Sequence, residues 1–266
     1  MLRAVAILIF VITLLSACSR RPNVPDSFQP RDINGRGYRV YVPANRDPNK
    51  KIPVMLYLHG SGARGDDNIE QVDGLRWAIE PIKDKIDFII VLPQCAPDTF
   101  WAAQNMAEYS LDALDQTVKE FNGDPQRLYL AGFSLGGFGT WQIAAANPGK
   151  FAALVPIAGG VVGVYPINPK DRDAVVPLIG DMLGSPEPYK EVAKAIGPTP
   201  VWAFHGAKDD SLSVDFSRTM VQALKDAGNP NVKYTEYPDD GHQIVGKAIS
   251  EPGLLEWLAE QKLRSP

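Results

Sequence analysis

The stretch Arg127–Trp141, RLYLAGFSLGGFGTW, decides the fold. It passes from a run of β-formers, through a glycine-flanked serine, into small and apolar residues, which is the order strand, sharp turn, helix. Within it Gly132-Phe-Ser134-Leu-Gly136 matches the GxSxG pattern of a nucleophile elbow. A serine at the apex of such a turn has strained backbone angles, and strand and helix pass so closely on either side that positions 132 and 136 cannot carry a bulky Cβ. The turn lifts the hydroxyl of Ser134 clear of the sheet. It also sets the backbone N–H of Leu135 in the first turn of the helix, where unpaired donors and the helix dipole favour developing negative charge.

Outward from this stretch the chain alternates buried strands and helices. Tyr38–Pro43 alternates as a first strand, and PVMLYLH (53–59), DFIIVLP (87–93), 152–157 and PVWAFH (200–205) are nearly continuous apolar runs, as strands covered on both faces require. Helical spacing occupies 69–82, 106–121, 135–146, 214–227 and 248–261, with a strand at 232–237. The pattern predicts an α/β fold: a mainly parallel central sheet with helices on both faces. One segment departs from the alternation. Residues 160–199 hold six prolines and far exceed an ordinary connection, which predicts either a small cap insertion over the site or a surface excursion with a crossover helix near 189–196.

The 266 residues suffice for one catalytic domain, expected over 36–266. A formal charge of −4 gives no basic footprint, so nucleic acid is not an expected partner. The amino end has a basic start, an apolar run from Ala4 to Leu15 and small residues, the form of a secretory signal. Leu15-Ser16-Ala17-Cys18 resembles the bacterial lipobox. That resemblance implies a signal peptide over 1–17, lipid on Cys18, and export to a cell envelope with a lipid anchor in the membrane. Ser19 rather than aspartate after the cysteine implies the outer membrane in a Gram-negative cell. The proline-rich 18–35 then reads as a flexible tether. Only Cys95 remains besides Cys18, so no disulfide framework is available, and Cys95 reads as a small buried hydrophobe.

As a nucleophile Ser134 needs a base. His59 and His205 end buried strands and His242 lies in the loop after the last one, so all three are near the edge where functional groups of an open α/β sheet collect. The elbow's partners follow in the chain order serine, acid, histidine, which leaves His242, in DDGH, as the base. The acid should follow a strand between the two. Asp209 in HGAKD fits an HGxxD pattern and is preferred to its neighbour Asp210, and its role is to accept the Nδ1 proton of His242. Asp239 and Asp240 read as solvated turn residues. The glycine-rich loop His59-Gly60-Ser61-Gly62 supplies a second oxyanion donor, the N–H of Ser61, to act with that of Leu135. His59 itself reads as structural, holding the loop through its ring.

Taken together, GFSLGG, LHGSGARG, VLPQCAPDTFW, PVWAFHGAKDD and DDGHQI resemble the α/β-hydrolase branch that holds bacterial predicted peptidases, phospholipase/carboxylesterases and feruloyl-esterase-like enzymes. The resemblance runs from about Arg36 to the C-terminus. It implies an α/β-hydrolase fold, and Ser134, Asp209 and His242 as catalytic residues with Ser61 and Leu135 as oxyanion donors. It also implies that Trp101 lines the acyl or alcohol pocket, with a core position as the alternative. The expected activity is hydrolysis of small-molecule carboxylic esters through an acyl-enzyme, without metal or cofactor. A serine peptidase of the same fold, a feruloyl or polyester esterase and a non-catalytic surface-binding lipoprotein are the alternatives.

Overall fold

The computed structural model describes residues 24–162, 180–181 and 185–263. The proposed signal peptide, Cys18 and the central part of the 160–199 segment lie outside the described residues.

Continuous apolar runs become central strands because both faces are covered. Strands β3 (Ile52–Leu58), β4 (Ile89–Pro93), β6 (Ala153–Ile157) and β7 (Val201–Gly206) are buried at every position. They join β1 (Phe28–Ile33), β2 (Arg36–Tyr41), β5 (Gly123–Phe133) and β8 (Val232–Tyr237) in one sheet of order β1-β2-β4-β3-β5-β6-β7-β8. Pairing is parallel from β4 through β8, and β1 and β2 close one edge antiparallel. Side chains of β3 alternate between two core layers: Val54, Leu56 and Leu58 enter one, Met55 and Tyr57 the other.

Helices α2 (Gln104–Glu120), α3 (Leu135–Ala146), α4 (Pro188–Ile196) and α5 (Asp215–Asp226) feed the first layer. Helices α1 (Glu70–Ile79), α6 (Val245–Ile249) and α7 (Leu254–Glu260) feed the second. Most bury one stripe, as Met106, Tyr109, Ala113 and Leu114 of α2 do. Helix α3 is different, buried from Leu135 to Ala145. A helix apolar on every side belongs inside a core, so the turn preceding it is held by the most enclosed helix of the fold.

Two boundaries differ from the expectation. The domain does not begin at 36: residues 28–33, assigned to a flexible tether, form edge strand β1, with Phe28 buried and every residue paired to β2. Asn34 and Gly35, at φ 53° and 80°, make the tight hairpin turn between them, and this pairing overrides the proline at 30. The single closing helix expected over 248–261 is two short helices, because Pro252 and Gly253, the latter at φ 85°, interrupt it. The crossover helix expected near 189–196 is α4.

Strand order reverses after β3, with β4 on one side of it and β5 on the other. The carboxyl ends of β3 and β5 therefore flank a topological switch point, where open α/β sheets place their ligands.

Candidate active site

Ser134 follows β5 at that switch point with φ 56° and ψ −116°, a combination that side-chain-bearing residues adopt only under strain. The neighbours hold it there. Its N–H donates to the Ile157 carbonyl at 2.9 Å, and its carbonyl accepts the N–H of Phe138 at 3.1 Å, the first bond of α3. The glycine spacing has its physical reason in the same place. A Cβ on Gly132 would lie 2.2 Å from the Gly136 carbonyl oxygen, and one on Gly136 would lie 1.8 Å from that of Leu58.

The other two predicted residues arrive on adjoining loops. Asp209 follows β7 and His242 follows β8, and the loops are tied by Lys208 N–H donating to the Asp240 carbonyl at 2.9 Å. Asp209 Oδ1 accepts the N–H groups of Ser211 and Leu212 at 2.9 and 2.8 Å, which turns Oδ2 toward His242 Nδ1 at 2.7 Å. An acceptor at Nδ1 fixes the proton there and leaves the Nε2 lone pair facing Ser134 Oγ, 3.0 Å away. Burial alone would push the Asp209 carboxyl up; the bonds from His242 and the two backbone N–H groups outweigh it and hold the carboxyl below its usual range. Asp210, Asp239 and Asp240 stay outside this chain, the last two paired with Lys208 and Lys247.

The glycine-rich loop adjoins the serine: a Cβ built on Gly60 would lie 3.4 Å from Ser134 Cβ. Ser61–Ala63 form a short 3₁₀ turn, whose first amide has no acceptor within the turn, just as Leu135 N–H has none at the start of α3. The loop is fastened elsewhere. Arg64 bonds the carbonyls of Ser61 and Thr99, and His59 Nδ1 donates to the Gly60 carbonyl at 2.6 Å while Nε2 accepts the Cys95 N–H at 3.0 Å. Burial drives the His59 ring down to about 4, so it stays neutral and structural. Cys95 is buried too, and its thiol is pushed up to about 12. Such a thiol is inert.

Trp101 corrects an expectation. It is 1% exposed, packs edge-on to His59 with centroids 5.0 Å apart, and donates its indole N–H to the His59 carbonyl at 3.0 Å. It supports the glycine-rich loop from inside the core and does not line a pocket. Two residues beside Ser134, Asp209 and His242 had no role in the sequence reading: Phe133, whose ring lies 4.9 Å from that of His242, and His205, which touches Asp209. For Phe133 the available signal was its place inside GxSxG, directly before the serine. Among the described residues, no three His, Cys, Asp or Glu side chains gather as metal ligands do. A hollow of about 780 Å³, lined by Tyr41, Ile52, Ile86 and Arg127 among others, lies at the opposite pole, at the amino ends of the strands.

With the geometry in hand, similarity places the chain. The crystal structure of a thermostable esterase matches 89% of this chain and 64% of its own, with TM-score 0.69 and 27% identity. The chain belongs to the α/β-hydrolase superfamily. No protein-family model matches it. A bifunctional acetylxylan esterase/xylanase of Neocallimastix patriciarum is 30% identical over 203 residues, 72% of this α/β-hydrolase chain and 24% of the relative. Dipeptidyl-peptidase 5 of Porphyromonas gingivalis is 25% identical over 235 residues, 77% of this chain and 32% of the relative. The chain thus spans about a quarter to a third of these two curated relatives.

Proposed function

We propose that this chain is a serine carboxylic ester hydrolase. The observation that carries the reading is the continuous line from Ser134 Oγ to His242 Nε2 at 3.0 Å and from His242 Nδ1 to Asp209 Oδ2 at 2.7 Å, built on a strained elbow. His242 takes the hydroxyl proton as Ser134 attacks the ester carbonyl. Negative charge gathers on the carbonyl oxygen, where the N–H groups of Leu135 and Ser61 receive it. Asp209 stabilises the imidazolium, His242 returns the proton to the departing alkoxide, and water activated by the same ring releases the acid. Each step uses only groups of this chain and water. Small to medium esters are the substrate class.

A p-nitrophenyl ester series from acetate to palmitate, with a ferulate ester and the Ser134→Ala variant alongside, tests this. A chain-length optimum abolished by Ser134→Ala supports it, and hydrolysis that survives the substitution sinks it. The similarity to a dipeptidyl-peptidase favours a second reading, amide hydrolysis by the same residues. Matched ester and amide substrates separate the two, because amines leave less readily than alkoxides.

We further propose export to the cell envelope with lipid on Cys18, supported by the lipobox-like LSAC stretch and by the 28% identity over 226 residues to a secreted protein of Arthroderma benhamiae. Membrane fractionation of the full chain beside Cys18→Ser tests the anchor: the variant should leave the membrane fraction, and its retention there would count against lipidation.

A further inference from the structure

The ring of His205 is fully buried at the end of β7, and both of its nitrogens are engaged. Nε2 lies 3.2 Å from Asp209 Oδ2 and 3.2 Å from the Leu212 carbonyl. Both are acceptors, so Nε2 carries a proton. Nδ1 lies 2.7 Å from Oγ of Ser217 on α5, a hydroxyl that also reaches the Gly159 carbonyl at 3.3 Å. A neutral ring then accepts the Ser217 proton at Nδ1, and burial, which lowers the basicity of His205, favours that form. The Asp209 carboxylate consequently receives two backbone N–H groups on Oδ1 and the His242 N–H on Oδ2, and the His205 Nε2–H, which it shares with the Leu212 carbonyl, stands 3.2 Å from Oδ2 as a further positive pole.

We infer that His205 is a positioning residue for ester hydrolysis, pinning Oδ2 of Asp209 and sharing its negative charge so that His242 is aligned and releases its proton readily. The inference rests on the triad reading proposed above. It gives a role to an HGxxD histidine that chain order had excluded as the base. The second imidazole acts through the acid, not on the substrate. The charges facing His205 are few. Glu236 stands opposite it in β8, neutralised by Arg218 of α5 at 2.7 Å; Asp209 and His242 face it from the loops, while Ser217 of α5 and Gly159 beyond β6 are uncharged.

Two substitutions separate position from bulk. In His205→Asn an amide reaches only the Nδ1 position and keeps the contact with Ser217. In His205→Gln the amide extends to the Nε2 position and restores a donor to Asp209. In the full chain, His205→Asn should lower kcat roughly tenfold to a hundredfold, as misalignment of a reacting group does, with KM little changed. The acid limb of its kcat/KM profile should move to higher pH, because an unshared charge on Oδ2 holds the imidazolium of His242 more firmly. His205→Gln should recover most of both effects. Ser217→Ala, which leaves the ring in place but weakens Nε2–H as a donor, should move the limb the same way by less, and it serves if His205→Asn fails to fold. The low-field proton resonance of the His242–Asp209 hydrogen bond reads the same contact without turnover: it should shift in His205→Asn and return in His205→Gln. An unmoved acid limb and resonance in His205→Asn and Ser217→Ala, or a His205→Gln as impaired as His205→Asn, would overturn the inference. Persisting hydrolysis in Ser134→Ala would instead count against the triad reading, and the proton resonance would still decide the role of His205.

Discussion

Replacing Ser134 with glycine should abolish hydrolysis and at the same time make the protein more stable than its alanine counterpart. Ser134 sits at φ 56° and ψ −116°, where a residue with a Cβ carries about 1–3 kcal/mol of strain. Both substitutions lose the 3.0 Å contact with His242, so that contribution cancels between them. Alanine keeps the strain. Glycine relieves it, while adding about 0.4–1 kcal/mol of unfolded-state entropy to be lost on folding. The difference leaves Ser134→Gly ahead by about 1 kcal/mol, which for a chain of this size is roughly 2–4 °C in melting temperature. Calorimetric melts of the two variants, with kcat on a p-nitrophenyl ester as control, measure it. Both should fall on the order of 10⁶-fold in kcat. A glycine variant that melts at or below the alanine variant would refute the claim that the elbow is strained by its side chain.

Other outcomes follow from the same geometry. Asp209→Asn should cost on the order of 10⁴-fold in kcat, since an amide no longer enforces the Nδ1–H tautomer of His242, and steady-state kinetics at neutral pH will show it. The buried ring of His59 stays neutral down to about pH 4, whereas the unfolded ring charges near 6.5, so the unfolded state binds more protons between those values and stability falls as pH drops from 6.5 to 4, by about 3 kcal/mol. Urea unfolding at intervals across that window should show the slope in the wild type and a flatter one in His59→Gln. Trp101→Phe should lower stability by about 1–3 kcal/mol by leaving the His59 carbonyl without its donor, and KM across the ester series should stay as it was. A chain-length-dependent change in KM would return Trp101 to the pocket.

What could be read in the sequence was what is local or ordered along the chain. Ser134 announced itself because an elbow needs glycines at fixed offsets. Asp209 followed because its loop begins where a buried strand ends, and His242 because it completes the chain order serine, acid, histidine. The core strands were legible because burial on both faces leaves almost no polar position in them. Strand β1 was not, since FQPRDI has little hydrophobic pattern; its signal was the Asn34-Gly35 hairpin turn, which lay hidden beside a proline-rich stretch. Trp101 misled because a tryptophan beside an active-site motif serves a pocket or a core equally well, and only the direction of its indole N–H decides. His205 carried no signal of its second contact, which depends on the loop after β7 curling back onto the strand that it leaves.

The sheet register also settles where the domain can be held. Phe28 pairs with Tyr41, which pairs with Ile90 near the start of β4, and Leu263 donates its N–H to the Gln126 carbonyl near the start of β5 at 2.8 Å. Both ends of the described chain therefore emerge at the pole away from Ser134. A surface, a fused neighbour or a fluorescent label attached at either end leaves the reactive face pointing outward, as a tool held by its handle keeps its working edge free.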